Sequence, residues 1–561
     1  MMTGPVVAQG QGSSPTRTSP GRLADPVSPT LIVTFGDRPD RGEVTRRLTG
    51  LGPVEDVVPE IGIWQVRPPV PGTARSRALA RSGVIRAEWS MVRTTSDLPA
   101  PGKPAPVLPP GAVASPTDPF YADPAAQWSM HQGTWSPSLT ANPAPTIAIL
   151  DSGLDTTHEE FRQPGLIVSP YSAITRRAAA PDVSATGHGT HVAGVAAAPA
   201  NGIGIVGVSP ATSTSARIMP VQISNAAGES HDSEMMQGIR WAVNRGAKVI
   251  NISSGGPGYQ QAFQDTVNWA YRRGALIVAS VGNEGLDENE VNFPAGYDHV
   301  IGVAAQCDDT VTSDCPRAYG RARFSNYNYS VDVLAPGVDI LSTVPTRVHT
   351  REVLPGYAYK EGTSMAAPYV TGTVALIMAS HPGASPAQVT EILQSTASRG
   401  ARGLARTSTD GWGVVDPAAA AQAPTPADDL AEPNDDVKYL PAKQAIRLSG
   451  RERRVVRATA DFNNDQFDTY GLVMTKGQRV RVTISAPRGR FDLGVFRPGS
   501  RSISPRVVTR SQLNRQLVAT VRRTTPGTRA TVVTAPTSGR FFISVVALQG
   551  GGPYTLSVQR L

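Results

Sequence analysis

Four short runs between Thr146 and Val415 constrain the fold more than anything else in this chain. They are TIAIL (Thr146–Leu150), KVINIS (Lys248–Ser253), ALIVAS (Ala275–Ser280) and VIGVAA (Val300–Ala305). Each is close to continuously apolar rather than alternating, so both of its faces must be covered. Strands of that kind belong to parallel sheets with helices on either side. Helix-compatible stretches fall in the same region: His191–Ala198, Ser233–Arg245, Gln261–Arg273, Ser364–Ser380 and Pro386–Ser398. The alternation predicts a doubly wound, mostly parallel α/β domain over residues 118–423. The longest uncharged stretch, Gly362–His381, carries Thr, Ser, Gly and an internal Pro368. It reads as a buried helix rather than a membrane span.

The flanks have a different texture. Residues 1–28 are rich in Gly, Ser, Pro and Thr and read as a disordered leader or signal remnant. Val6-Val7-Ala8 has the small-residue spacing of a cleavage site, but a charged n-region and a full apolar core do not precede it. Residues 29–97 read as strand, helix, strand, helix, strand, with LIVTF, IGIWQV and GVIRAEW as the strands: a small α+β unit. Pro, Ala and Gly dominate 98–117, an accessible linker, and PTPADDLAEPNDD places a second linker at 424–436. Residues 437–561 break into short alternating strands separated by Gly/Pro/Ser turns, the pattern of an antiparallel β-sandwich. Two cysteines exclude a disulfide scaffold and a multi-cysteine zinc site. Cys307 and Cys315 are expected to close a small surface disulfide worth roughly 2–3 kcal/mol.

Chemistry concentrates in four segments: AILDSGLD with Asp151, GHGTHVAG with His188, VASVGNEG with Asn283 and GTSMAAP with Ser364. Singly each has an ordinary reading as a strand exit, a metal-binding His pair, a turn or a helix cap. A serine hydroxyl is a weak nucleophile that needs an adjacent base. A histidine held by a buried aspartate supplies one, and an amide beside a helix N-terminus stabilises a developing oxyanion. The metal reading of His188 and His191 is disfavoured, because they stand three apart without a carboxylate in an HExxH arrangement.

Together and in the order Asp, His, Asn, Ser, these segments resemble the subtilisin-like serine proteases, over about Asp118–Ala421. The resemblance implies a serine endopeptidase with catalytic Asp151, His188 and Ser364 and oxyanion-hole Asn283; His191 is then a structural core residue. It implies that Ser253, Ser254 and Gly255 of NISSGGPG line the primary pocket, Glu284 stands at its rim and Asn292 closes its base. It also implies a structural Ca²⁺ held by Asp118, Glu160, Asn201 and the carbonyls of Ile203 and Ile205. Asn201 lies 13 residues after His188, and Glu160 replaces a shorter Asp. Oxygen donors suit that ion. Residues 29–97 resemble the inhibitor-type propeptide of subtilases, and 431–561 the β-sandwich appended to many secreted bacterial peptidases. The implied protein is a secreted, self-processing monomer that acts on polypeptides and is inhibited by its own propeptide.

Charge adds one further expectation. From Val437 to Leu561 there are 22 Lys and Arg against five acidic residues, whereas the whole chain carries only +8. Arg479, Arg481, Arg488, Arg490, Arg497 and Arg501 recur along the strands, so anionic cell-envelope polymers are expected partners. Only 6 of the 53 basic residues are Lys, so codon bias competes with that reading. The alternative to an enzyme is a silent scaffold that binds through this basic domain. A scaffold has no need of all four catalytic-type residues.

Overall fold

The computed structural model describes residues 29–95, 98–99, 118–132, 135–137, 139, 142–348, 356–402, 406–426, 440, 445–461, 467–487, 490–500, 510–521, 527–549 and 551–561. The leader, nearly all of both expected linkers, and Arg488 and Arg501 lie outside them.

The N-terminal unit runs β1 (Leu31–Phe35), α1 (Arg41–Arg47), β2 (Val54–Val58), β3 (Ile63–Val66), α2 (Ala74–Leu79) and β4 (Val84–Trp89). Its strands form an antiparallel sheet in the order β2-β3-β1-β4. The sequence reading lacked β2, whose VEDVV carries two acids and alternates weakly. Next come β5 (Val92–Thr94) and β6 (Leu98–Pro99). Both pair outside this unit, and β6 occupies the first two positions of the expected linker.

The central unit contains β7 (Ile147–Asp151), β8 (Tyr171–Ser172), α3 (His188–Ala197), β9 (Ile218–Gln222), β10 (Glu229–His231), α4 (Asp232–Asn244), β11 (Val249–Ile252), α5 (Gln261–Tyr271), β12 (Leu276–Ser280), β13 (Val300–Gln306), β14 (Val333–Pro336), β15 (Ile340–Thr343), β16 (Tyr357–Glu361), α6 (Thr363–Ser380), α7 (Pro386–Thr396) and α8 (Pro417–Gln422). Seven strands form one parallel sheet, ordered β14-β13-β12-β11-β7-β9-β8. β7, β11, β12 and β13 are buried at every position, as their continuous apolar runs require. One apolar cluster joins α3, α6 and α7 to one face; a second joins α4 and α5 to the other. The fold is the expected doubly wound α/β arrangement. β9 was not predicted, because its IMPVQ run is interrupted by Pro220. Cys307 and Cys315 are disulfide-bonded.

The C-terminal unit comprises β17 (Ala445–Ile446), β18 (Arg453–Asp461), β19 (Phe467–Met474), β20 (Arg479–Ala486), β21 (Arg490–Phe496), α9 (Arg510–Gln516), β22 (Leu517–Val521), β23 (Gly527–Thr534), β24 (Gly539–Gln549) and β25 (Gly551–Arg560). Two sheets, β17-β19-β24-β21-β22 and β18-β25-β20-β23, share one apolar core. Alternation in β20 is strict at its start: Val480 and Val482 are buried, while Arg479 and Arg481 face out. On the next rungs Gln559 stands between Arg453 and Arg481, so two arginines flank it on one exposed face.

Candidate active site

Functional groups gather where β7, β11 and β12 end and α3 and α6 begin. Asp151 is the last residue of β7 and His188 the first of α3. Asp151 Oδ1 accepts the Nδ1–H of His188 at 2.7 Å and the backbone N–H of Ser152 at 2.7 Å. Both side chains are buried. A carboxylate on Nδ1 places the ring proton there and leaves Nε2 as the basic nitrogen.

The helix start is fixed by a residue that the motifs did not reveal. Asp182 accepts hydrogen bonds from Ser152 Oγ, Ser184 N–H, Thr190 N–H and Thr190 Oγ, at 2.6–3.0 Å. Ser152 Oγ in turn accepts from Gly189 N–H at 3.0 Å. Strand end and helix start are thereby held as one piece. The approach is tight: a Cβ at Gly189 would lie 2.2 Å from the Gly153 carbonyl oxygen. His191 is buried, with Nε2 at 3.0 Å from the Ile340 carbonyl and 3.1 Å from that of Ala358, the core position expected of it.

Ser364 is the second residue of α6, after Gly362, whose φ of 142° favours glycine. Its Oγ donates to the Ser253 carbonyl at 3.2 Å. Pro368 has no N–H to return to the Ser364 carbonyl, so the helix start is one bond short. Ser253 Oγ makes that bond at 2.9 Å. It also accepts from Asn251 Nδ2 at 2.9 Å, and Asn251 Oδ1 accepts from Thr371 Oγ, two turns further along α6, at 2.9 Å. The tip of β11 therefore anchors the first turns of α6. Asn283 Oδ1 accepts from the Thr363 N–H at 2.9 Å and its hydroxyl at 2.8 Å. A backbone N–H can only donate, so the atom facing Thr363 is the oxygen, and the amide nitrogen is turned to the opposite side.

The expected pocket residues lie nearby. The Ser253 hydroxyl is committed to α6, so this residue offers a pocket only its backbone. Ser254 is buried. A Cβ at Gly255 would meet the Phe293 carbonyl oxygen at 3.0 Å and Asn292 Cβ at 3.6 Å, so these two segments face each other closely. Asn292 is buried and donates through Nδ2 to Glu284 Oε2 at 3.1 Å; Asn326 Nδ2 donates to the same oxygen at 3.1 Å. Glu284 is half-buried and holds two loops together.

β5 lies against the same Gly255. Thr94 and Gly255 exchange both backbone hydrogen bonds at 3.0 Å, while the other edge of β5 pairs antiparallel with β10. Beyond it, β6 pairs with the end of β16: Leu98 stands opposite Glu361, three residues before Ser364. Thr94 thus lies against the Gly255 segment, and Leu98 against the strand that leads into α6.

The five expected calcium residues also converge. Asp118 Oδ1 accepts from the N–H groups of Asn201, Gly202 and Ile203 at 3.0–3.2 Å. Glu160 Oε1 accepts from Ile205 N–H at 2.9 Å and Oε2 from Asn201 Nδ2 at 3.2 Å. Asn201 Oδ1 accepts from Ile203 N–H at 2.9 Å, so its oxygen faces the loop and its nitrogen faces Glu160. Both carboxylates are buried, and among the described residues no basic side chain pairs with either. Burial, with Asp118 nearby, pushes Glu160 up to about 8. Burial also raises Asp118 above the usual carboxylate range. Two buried carboxyl groups without a basic partner, one of them driven to keep its proton at neutral pH, are oxygen donors of the kind a hard cation takes.

An aspartate–histidine pair and a serine at a helix N-terminus, on a doubly wound parallel sheet, define a serine hydrolase site. The comparisons narrow that class. The profile of the Peptidase_S8 subtilase family matches residues 142–413. Subtilisin DY of Bacillus licheniformis is 35% identical over 278 residues, 49% of this chain and 90% of that protein. Subtilisin E of Bacillus subtilis is 36% identical over 278 residues, 49% of this chain and 65% of that one. Fervidolysin of Fervidobacterium pennivorans is 38% identical over 299 residues, 50% of this chain and 41% of its own length. The chain belongs to the subtilase family and is a serine endopeptidase. The crystal structure of fervidolysin, described as a keratinolytic enzyme related to subtilisin, superposes with a TM-score of 0.60 at 22% identity. It covers 95% of this chain and 93% of that one, a likeness of fold that extends over the flanking units.

Proposed function

We propose that this chain is the zymogen of a secreted endopeptidase that matures by cutting itself. Ser364 Oγ passes its proton to His188 Nε2 and attacks the substrate carbonyl. Asp151 holds the imidazole and stabilises the imidazolium. The Asn283 amide and the Ser364 backbone N–H receive the oxyanion. His188 then protonates the leaving amine, and water releases the acyl group. Ser253, Ser254 and Gly255 form one wall of the primary pocket, with Asn292 and Glu284 closing it. Residues 29–97 serve as the intramolecular inhibitor, 118–423 as the peptidase and 437–561 as an appended sandwich.

One observation carries the zymogen reading: β5 is the middle strand between β10 and Gly255, placed as an extended substrate would be, and leads toward Ser364. The Val92–Pro99 segment joins the proposed inhibitor to the proposed peptidase. The test is expression of wild type and Ser364→Ala in a protease-free purified system. Wild type is expected to lose its N-terminal unit through a cut between Thr95 and Leu98, and Ser364→Ala to stay full length. Maturation of Ser364→Ala under those conditions would overturn self-processing.

Asp118, Glu160, Asn201, Ile203 and Ile205 are proposed to hold a structural Ca²⁺, which would neutralise the two carboxylates and stiffen the loop after α3. Among the described residues no helix is long and apolar enough to cross a membrane. The exposed Arg453, Gln559 and Arg481 row supports a role for the sandwich in binding anionic envelope polymers.

A further inference from the structure

Arg93 is the second residue of β5 and one of the largest fully buried side chains of the molecule. Its guanidinium has five N–H donors in a fixed fork. Every one is received. Nε donates to Asp232 Oδ1 at 2.8 Å and Nη2 to Asp232 Oδ2 at 3.1 Å, a bidentate pair. Nη1 donates to the carbonyls of Gly256 at 2.5 Å and Pro257 at 2.7 Å, and Nη2 also reaches that of Gly258 at 2.9 Å. Asp232 is fully buried and opens α4; the three carbonyls line the turn after Gly255. The catalytic steps use none of these groups. The four oxygen-bearing partners belong to the peptidase unit, whereas the arginine, with Met91 Sδ at 3.5 Å from Nη2, is supplied by the unit expected to leave.

Register gives the position meaning. Thr94 stands opposite Gly255, so the antiparallel ladder continued by two residues brings a substrate residue opposite Ser253. That is the residue whose carbonyl receives the Ser364 hydroxyl. Arg93 therefore corresponds to the third residue upstream of the one presented to the nucleophile.

We propose that Asp232 and the Gly256, Pro257 and Gly258 carbonyls form a guanidinium-selective substrate subsite. Arg93 is its internal occupant before maturation, and an arginine three residues upstream of the attacked residue is its substrate ligand afterwards. The proposal rests on the zymogen reading. A neutral side chain there leaves a buried carboxylate and the Pro257 and Gly258 carbonyls without donors, the Gly256 carbonyl keeping that of the Phe293 N–H, whereas lysine offers three donors from a single point and cannot span all four oxygen-bearing groups.

The experiment uses enzyme matured from the full chain and quenched fluorogenic peptides of the form Xaa-Thr-Thr-Ser followed by a common leaving segment. Xaa is Arg, its neutral isostere citrulline, Lys or Leu. Arg is expected to exceed citrulline by about 30- to 1000-fold in kcat/KM, with Lys between them. In Asp232→Asn the Arg and citrulline rates are expected to converge. Equal rates for Arg and citrulline in wild type would overturn the subsite whether or not the variant folds. Labelling of Ser364 by a fluorophosphonate separates the two readings. A labelled enzyme indifferent to Xaa removes the subsite alone, and a chain that neither labels nor cleaves removes the protease reading with it.

Discussion

Replacing Ser253 by Ala tests how the nucleophile-bearing helix is held. The substitution removes one hydroxyl, but two buried partners lose their bonds: the Ser364 carbonyl, which Pro368 cannot serve, and Asn251 Nδ2. Leaving a buried polar group unsatisfied costs about 1–3 kcal/mol, and partial relaxation keeps the pair from being additive, so we expect a loss of about 2–4 kcal/mol. For a unit of this size that lowers Tm by roughly 4–10 °C. The neighbouring Ser254 is a built-in control. Its buried Oγ has no hydrogen-bond partner among the described residues, so Ser254→Ala removes no bond and should leave stability unchanged or raise it. Both variants are measured by calorimetry in the Ser364→Ala full chain, which cannot digest itself. A Ser253→Ala transition within about 1 °C of its parent, or an equal loss in Ser254→Ala, would refute the anchoring argument.

On the same Ser364→Ala background, excess Ca²⁺ should raise Tm over EDTA, corresponding to a gain of about 2.7 kcal/mol in stability at a hundredfold excess over Kd; coincident curves would remove the ion. Glu361 titrates near 7, raised by burial and then by the charges of Asp339 and Asp314. A raised carboxyl pKa means that the folded state keeps a proton the unfolded chain has released. Its stabilising effect is therefore complete below about pH 4.5 and is lost as pH rises to about 7. Glu361→Gln should match the parent near pH 4.5 and exceed it by about 1–3 kcal/mol at pH 8; parallel stability curves would contradict this. Arg453→Glu with Arg481→Glu should weaken retention of the full chain on an anionic polysaccharide at low salt, with wild-type binding falling steeply as salt rises. Unchanged retention would leave codon bias as the source of the arginines.

The sequence determined the central fold because continuous apolar runs can be satisfied only by covering both faces of a strand. It placed β7, β11, β12 and β13 within a residue or two of their observed bounds. It likewise singled out Asp151, His188, Asn283 and Ser364, which stand in short contiguous motifs. β2 and β9 escaped it, because acids in one and a proline in the other break the local pattern that tertiary pairing overrides. Only the tertiary structure joined residues without a motif of their own. Asp182 reaches Ser152; Thr371 reaches Asn251, the residue that holds Ser253; Arg93 reaches Asp232, 139 residues away. Each of these depends on a hydrogen bond between distant segments. A single polar residue in an ordinary local context carries no mark of such a partner until the chain is folded.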